Sequence, residues 1–314
     1  MQFGMNSLNE IAQKVLDKEL KYKDTVIIGD NASGKSFLLK LMIEKKKSSD
    51  DIYFIDAVNR GFDVSKIIKN SQLAEYKNTV INRRIQEEYF NLKDSFDCYG
   101  TLTERIEQIY APLEKDLQDL FEKLTAECFQ IVPESILGKV EFKKGTGLLS
   151  SGYQAIVRIL MELLYYQNGM DTRQLVRTMV VIDELDEFLS PGYAYKILPF
   201  IKRNFSKMEF VVSTHSCDLV VGAQDANLIV LDDRGYEVME TNDFQSISEV
   251  QIVFDRVFGR HSKQVPEVED ILRRLFNNKL NNVWTELDQC QLEGLQKEDM
   301  TASQQLIFRQ IMEW

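Results

Sequence analysis

The sequence predicts an α/β fold with a mostly parallel sheet, and three observations carry that prediction. Short, largely apolar runs at 25–28 and 52–55 flank a helical pattern over about 35–44. Strand, helix, strand in about 30 residues is a βαβ unit, which requires parallel pairing. Three further apolar runs, at 179–182, 210–212 and 228–231, return to the same pattern late in the chain. Only 15 glycines and 5 prolines occur in 314 residues, too few for a turn-rich sandwich or barrel.

In chain order, the first element is an amphipathic helix. Ser7 and Glu10 have capping-box spacing, and Leu8, Ile11, Ala12, Val15 and Leu16 repeat on one face. After the βαβ unit the pattern from about 64 to 145 reads as helical. Ile106, Tyr110, Leu113, Leu117, Leu120 and Leu124 form a stripe about three heptads long that includes Pro112. A lobe packing on its neighbours is the favoured reading, and a dimerising coiled coil is the alternative. A helix over about 193–204 separates the third and fourth strands. Asp232 to Gly235 is a turn signal, so Tyr236 to Met239 is expected to pair back as a hairpin. From 246 the tail is helical and amphipathic. The expected division is 1–245 as the main domain, with a helical lobe inserted at about 64–165, and 246–314 as a helical C-terminal region.

With 44% hydrophobic and 28% charged residues the chain is an ordinary folding sequence, which excludes wholesale disorder. Four cysteines, Cys98, Cys128, Cys217 and Cys290, lie far apart and only two histidines could join them, so reduced cytoplasmic thiols are expected in place of a zinc site. The N-terminus lacks a basic stretch followed by an apolar one, so no signal peptide is expected. No apolar run reaches membrane-spanning length. A net charge of −11 favours a protein partner over a surface that grips nucleic acid everywhere. Local basic clusters at Lys45 to Lys47, Arg83–Arg84 and Lys202–Arg203 keep DNA open as a partner.

Four motifs carry the chemistry. Gly29-Asp-Asn31-Ala32-Ser33-Gly34-Lys35-Ser36 matches the phosphate-loop pattern G-x-x-x-x-G-K-[ST], directly after a strand and opening a helix. Glycines let the backbone curl around a polyphosphate, and the helix N-terminus adds its dipole. Lys35 can reach the β- and γ-phosphates, and the Ser36 hydroxyl can ligate Mg²⁺. The run 179–182 ends in Asp183 and Glu184: the first acid suits a magnesium-bound water, the second the general-base role. Ser150, Ser151 and Gly152 open an apolar helix after Gly145 and Gly147, serving either as an ordinary cap or as a second anion-holding terminus. His215 follows the 210–212 strand in register with the other strand-end motifs.

Phosphate loop, Leu-Ser-Ser-Gly, strand-Asp-Glu and strand-His occur here in the order of the ABC-type ATPase domain. Over about residues 25–232 the chain resembles that superfamily of P-loop NTPases, specifically its soluble branch with the RecF, SMC and OLD-type ATPases. The resemblance implies an ABC-ATPase-like head binding ATP and Mg²⁺ between two head-to-tail protomers, as a homodimer or higher oligomer. Ser150 and Gly152 of one subunit would then meet the γ-phosphate held by Lys35 of the other. Glu184 would be the base, His215 would bind the γ-phosphate, and Asp186 would lie near the seam. Gln72 and Gln86 are both candidates for the Q-loop glutamine. Asn59–Arg60 reads as a nucleotide or dimer contact, or equally as a solvated loop. Soluble members of the branch serve DNA repair, chromosome organisation or phage defence, so the implied role is a cytoplasmic switch for a protein effector, such as a nuclease. A RecF-type DNA repair ATPase and a nucleotide-gated scaffold without turnover are the rivals, and a transporter subunit is a weaker third. The sequence departs from the family in having Leu185 after Asp-Glu and a helix in place of the N-terminal hairpins.

Overall fold

The computed structural model describes residues 2–46, 51–68, 106–132, 137–172, 177–232, 235–244, 246–258, 266–280, 284–295, 300 and 302–313. Gln72 and Gln86 lie outside these residues. Six strands form the central sheet: β1 (Asp24–Gly29), β2 (Ile52–Ile55), β6 (Thr178–Ile182), β7 (Met208–Ser213), β8 (Ala226–Asp232) and β9 (Gly235–Glu240). Their order is β2-β6-β7-β1-β8-β9. All neighbours pair in parallel except β8 with β9, the expected hairpin. The four runs β1, β2, β6 and β7 are buried along their whole length, as parallel strands covered on both faces must be.

Register is what positions the site. Ile27 lies opposite Ser213, and Ile182 opposite Val212. The carboxyl ends of β1, β6 and β7 therefore finish side by side at one edge, and three of the four motifs follow directly from those ends.

One face of the sheet is covered by α1 (Gln2–Leu16) and α2 (Lys35–Lys46). Ile11, Ala12 and Val15 pack with Leu38, Leu39 and Met42 onto Ile27, Phe54, Val181 and Val211. The first helix starts five residues before Ser7, so Ser7–Glu10 is not its cap. Glu10 instead pairs with Lys14 at 2.7 Å and accepts from the Tyr236 hydroxyl at 2.8 Å. Capping-box spacing recurs inside helices wherever the residues upstream also accept helical backbone.

The stretch predicted to be wholly helical is mixed. Its described part begins with 3₁₀ turns at Val64–Lys66 and Ile106–Ile109, followed by α3 (Tyr110–Thr125). Then β3 (Phe129–Ile131), β4 (Val140–Phe142) and β5 (Gly145–Gly147) form a small antiparallel sheet. Three-residue strands are too short for a period-two signal to outweigh the helical signal around them. In α3 the buried stripe is Tyr110, Leu113, Leu117, Phe121 and Leu124, with Phe121 taking the place expected for Leu120. Phe121 meets Phe129 and Tyr153 edge-on, with centroids 5.0 and 5.1 Å apart, so the stripe packs within this chain.

The long helix α4 (Ser151–Thr172) follows, then α5 (Pro191–Asn204) after β6 and α6 (Cys217–Gly222) after β7. α4 is buried on nearly all sides from Ala155 to Tyr166. It docks on β2 through stacked Tyr53 and Tyr166 rings, 4.9 Å apart, and through the Tyr53 hydroxyl, which donates to Glu162 at 2.9 Å. Last come α7 (Ile247–Val257), α8 (Pro266–Leu280), α9 (Glu286–Leu295) and α10 (Ala302–Glu313). The chain divides into two compact units, Met1–Phe254 and Asp255–Trp314. The second has its own core of Val268, Leu272, Leu275, Leu292, Leu295 and Ile311. Among the described residues no helix is long and apolar enough to cross a membrane.

Candidate functional site

The phosphate loop runs from the end of β1 into the first residue of α2. Gly34 has φ +100° and Ala32 φ +63°, so the chain reverses through left-handed backbone that glycine adopts without strain. The Leu8 side chain would lie 3.1 Å from a Cβ on Gly34, so α1 presses against the loop. Lys35 is only 7% exposed, and its ammonium donates to the carbonyls of Gly29 at 2.9 Å and Asp30 at 3.1 Å. Burial pulls its pKa below the ordinary lysine range, opposed by Glu184, Asp183 and Asp30. The Ser33 hydroxyl is buried without a hydrogen-bond partner among the described residues. A lysine folded onto its own loop and an unpaired hydroxyl beside it are the donors a polyphosphate would use.

At the end of β6, Asp183 is fully buried. One carboxylate oxygen accepts from the Ser36 hydroxyl at 2.9 Å, and the other from the Ser213 hydroxyl. Ser36 and Asp183 thus present a hydroxyl and a carboxylate together, the hard oxygen ligands that suit magnesium. No group of three or more His, Cys, Asp or Glu converges on a metal position among the described residues, so the remaining ligands would come from phosphate and water.

Glu184 has φ +49°, a left-handed conformation that costs an ordinary residue about 1 kcal/mol. Its backbone N–H donates to the Ser213 hydroxyl at 2.8 Å, and the next N–H, of Leu185, donates to the Ser213 carbonyl at 3.1 Å. The Glu184 carboxylate lies 3.6 Å from His215 Nε2, each side chain about one-third exposed. That separation is a close contact, longer than a good hydrogen bond. His215 is still the largest influence holding the Glu184 carboxyl below its usual pKa; burial opposes it, and Lys35 and Arg60 assist. Thr214 donates its hydroxyl to Asp186, whose pKa burial pushes up.

Ser150, Ser151 and Gly152 stand apart from this cluster. The Ser150 hydroxyl accepts from the Tyr153 N–H at 3.3 Å, the ordinary capping role. A Cβ on Gly152 would lie 3.0 Å from the Phe188 carbonyl, so glycine permits the helix start to approach the Asp186–Ser190 turn. Phe188 and Leu148, beside it, are 52% and 63% exposed. None of the three forms a hydrogen bond to the phosphate loop among the described residues. The structure thus brings together Lys35, Ser36, Asp183, Glu184 and His215, with Ser150 to Gly152 making no hydrogen bond to that group among the described residues.

Two residues take roles that the sequence reading did not give them. Ser213, the last residue of β7, joins both acids through one hydroxyl. Arg60 is neither solvated nor a surface contact: it is 2% exposed, and its Nη2 donates to the carbonyls of Asp183 at 2.8 Å and Glu184 at 3.3 Å. Its only sequence signal is position, five residues past β2, the strand next to β6. One basic cluster is otherwise engaged, since Lys202 donates to Gln224 and Asp225 carbonyls and lies 3.2 Å from Asp24.

Comparison with known proteins finds no matching family model. The chain is similar to the Septu protein PtuA of Bacillus thuringiensis, 26% identical over 206 residues, covering 60% of this chain and 45% of that protein. It is also similar to the Retron Ec83 probable ATPase of Escherichia coli, 24% identical over 162 residues, covering 49% of this chain and 30% of that protein. The chain thus spans less than half the length of these curated relatives. Among solved structures it is similar to a nucleotide-free ATP-binding cassette from an ABC transporter, with a TM-score of 0.41 and 16% identity over 76% of this chain and 87% of that one.

Proposed function

We propose that this chain is a cytoplasmic ABC-type ATPase that binds ATP with Mg²⁺, closes head-to-tail with a second copy on doing so, and hydrolyses ATP slowly as a switch. The observation that carries the reading is the meeting of Lys35, Ser36, Asp183, Glu184 and His215 at the carboxyl edge of one parallel sheet. Asn31, Ala32, Ser33 and Gly34 would bind the phosphates through backbone and hydroxyl donors. Lys35 would exchange its two loop carbonyls for phosphate oxygens. Ser36 and Asp183 would hold magnesium, which when bound neutralises charge on the β- and γ-phosphates. Glu184, kept ionised beside His215, would take the proton of the attacking water. His215 would bind the γ-phosphate from the same side. Ser150, Ser151 and Gly152, which lie away from the phosphate loop of their own chain, would complete the site of the partner copy.

The ATPase domain would span 1–245, with 246–314 as an accessory helical region and a dock for an effector protein. The similarity to a Septu protein and a retron ATPase supports a role in phage defence, with the ATPase controlling an effector in trans. Equilibrium binding and turnover test the core of this. The wild-type chain should bind ATP–Mg²⁺ and release phosphate, and Lys35→Ala should lose at least about 100-fold in affinity while folding normally. Wild-type affinity in Lys35→Ala would exclude the assigned loop. Tight binding with no turnover would favour the non-hydrolysing scaffold.

A further inference from the structure

We propose that Arg60 is a positioning residue for hydrolysis: by holding the carbonyls of Asp183 and Glu184 it fixes the turn from which the base projects. The inference rests on the reading of Glu184 as that base.

Arg60 is among the largest side chains fully enclosed in the molecule. Among the described residues only its Nη2 is satisfied, and Nε and Nη1 have no hydrogen-bond partner. A buried guanidinium with most of its donors unpaired is an expensive way to fill space, and an apolar side chain of that volume would cost less. Asp56, Glu162 and Asp183 offset part of that cost through their charge, while Arg158 adds to it. The fold therefore keeps a cation where packing alone does not call for one.

Its placement says what the cation does. The two carbonyls it holds belong to the two peptides on either side of the Glu184 Cα, and Glu184 sits in left-handed backbone that needs outside support. Ser213 secures the same turn from the opposite side through the Glu184 N–H. The turn is thus pinned by the Arg60 guanidinium as donor and by the Ser213 hydroxyl and carbonyl as acceptors.

The loop bearing Arg60 is itself held rigidly. One Asp56 carboxylate oxygen accepts from the backbone N–H groups of Val58 and Asn59 and from the Asn59 amide. Two residues past Arg60, the Phe62 N–H donates to Gln154 at 3.2 Å, and the Asp63 N–H to Glu107 at 2.8 Å. Gln154 lies in the first turn of α4, just after Ser150 to Gly152, and also donates to the Leu149 carbonyl at 2.9 Å. A single strap of eight residues, 56–63, thus ties the hydrolytic turn to the helix start proposed to complete a partner's site. Arg60 is the point at which that strap grips the acids.

The test uses the full chain with Arg60→Gln, which keeps an amide donor without charge, and Arg60→Lys, which keeps the charge with a single donor head. Both are compared with the wild type for ATP–Mg²⁺ affinity, kcat, KM and thermal midpoint. Misplacement of the base by a fraction of an ångström to an ångström should lower kcat by about 100-fold in Arg60→Gln while affinity stays within about threefold. Arg60→Lys should recover part of that loss. A kcat in Arg60→Gln within threefold of wild type overturns the proposal. So does a parallel fall of affinity, kcat and thermal midpoint in both variants, which would mark a purely structural cation. Should Arg60→Gln fail to fold, Arg60→Lys decides alone: a drop of about tenfold in kcat at unchanged affinity supports the proposal, and wild-type kcat refutes it. A wild type that binds ATP without turnover removes Glu184 as base and this proposal with it, whereas wild-type turnover that survives in the Arg60 variants removes the proposal only.

Discussion

Replacing Ser213 with alanine perturbs the centre of the proposed site by a single oxygen. Ser213 is fully buried; its hydroxyl donates to the Asp183 carboxylate and accepts the Glu184 N–H. Alanine leaves both groups without that partner, although Asp183 keeps its bond from Ser36. A lost bond to a charged group costs about 1.5–3 kcal/mol, and an unpaired buried N–H about 1 kcal/mol more, so the expected destabilisation is about 3 kcal/mol. For a unit of this size that lowers the thermal midpoint by about 6–12 °C. Releasing one side of the Glu184 turn should also lower kcat by at least about tenfold, because the base is held less tightly in position. Thermal unfolding followed by circular dichroism, with steady-state phosphate release on the same preparation, reads both effects. A midpoint within 2 °C of wild type together with unchanged kcat would refute the idea that Ser213 links the two acids.

Two further substitutions probe other parts of the account. Gly152→Ala places a methyl group 3.0 Å from the Phe188 carbonyl and should weaken ATP-dependent self-association while leaving nucleotide affinity intact; sedimentation with and without ATP checks this, and wild-type association would count against it. Arg158→Met removes the cation from a buried pair with Glu162, 2.9 Å apart and nearly unexposed. It should cost about 3–5 kcal/mol in denaturant unfolding, and adding Glu162→Gln should restore part of that loss if the uncompensated charge is the cause.

How much was legible in the sequence depended on the length of each signal. Every strand of the parallel sheet carries a run of three or more apolar residues, rich in β-branched side chains, and fully buried strands can hardly be written otherwise. The motifs could be read because they stand immediately after those strands, and the structure brings Lys35, Ser36, Asp183, Glu184 and His215 together there. The antiparallel strands at 129–147 were not, because three-residue strands beside a strong helical stripe have no period of their own. The Ser7 cap failed because capping spacing is local, while the true helix start depends on residues before it. The roles of Arg60 and Ser213 were not legible for another reason: each acts through a backbone carbonyl or N–H from a neighbouring strand, and only the sheet order, with β2 and β7 on either side of β6, brings them to the acids.

The central claim is that Glu184 hydrolyses ATP held in a site that closes between two copies. Phosphate release and light-scattering mass, measured on wild type and Glu184→Gln with ATP–Mg²⁺, test it most directly. The account predicts turnover in the wild type, a loss of at least about 100-fold in Glu184→Gln, and an ATP-dependent doubling of mass that persists in the variant. Wild-type turnover in Glu184→Gln, or a mass unmoved by ATP in both proteins, would contradict it.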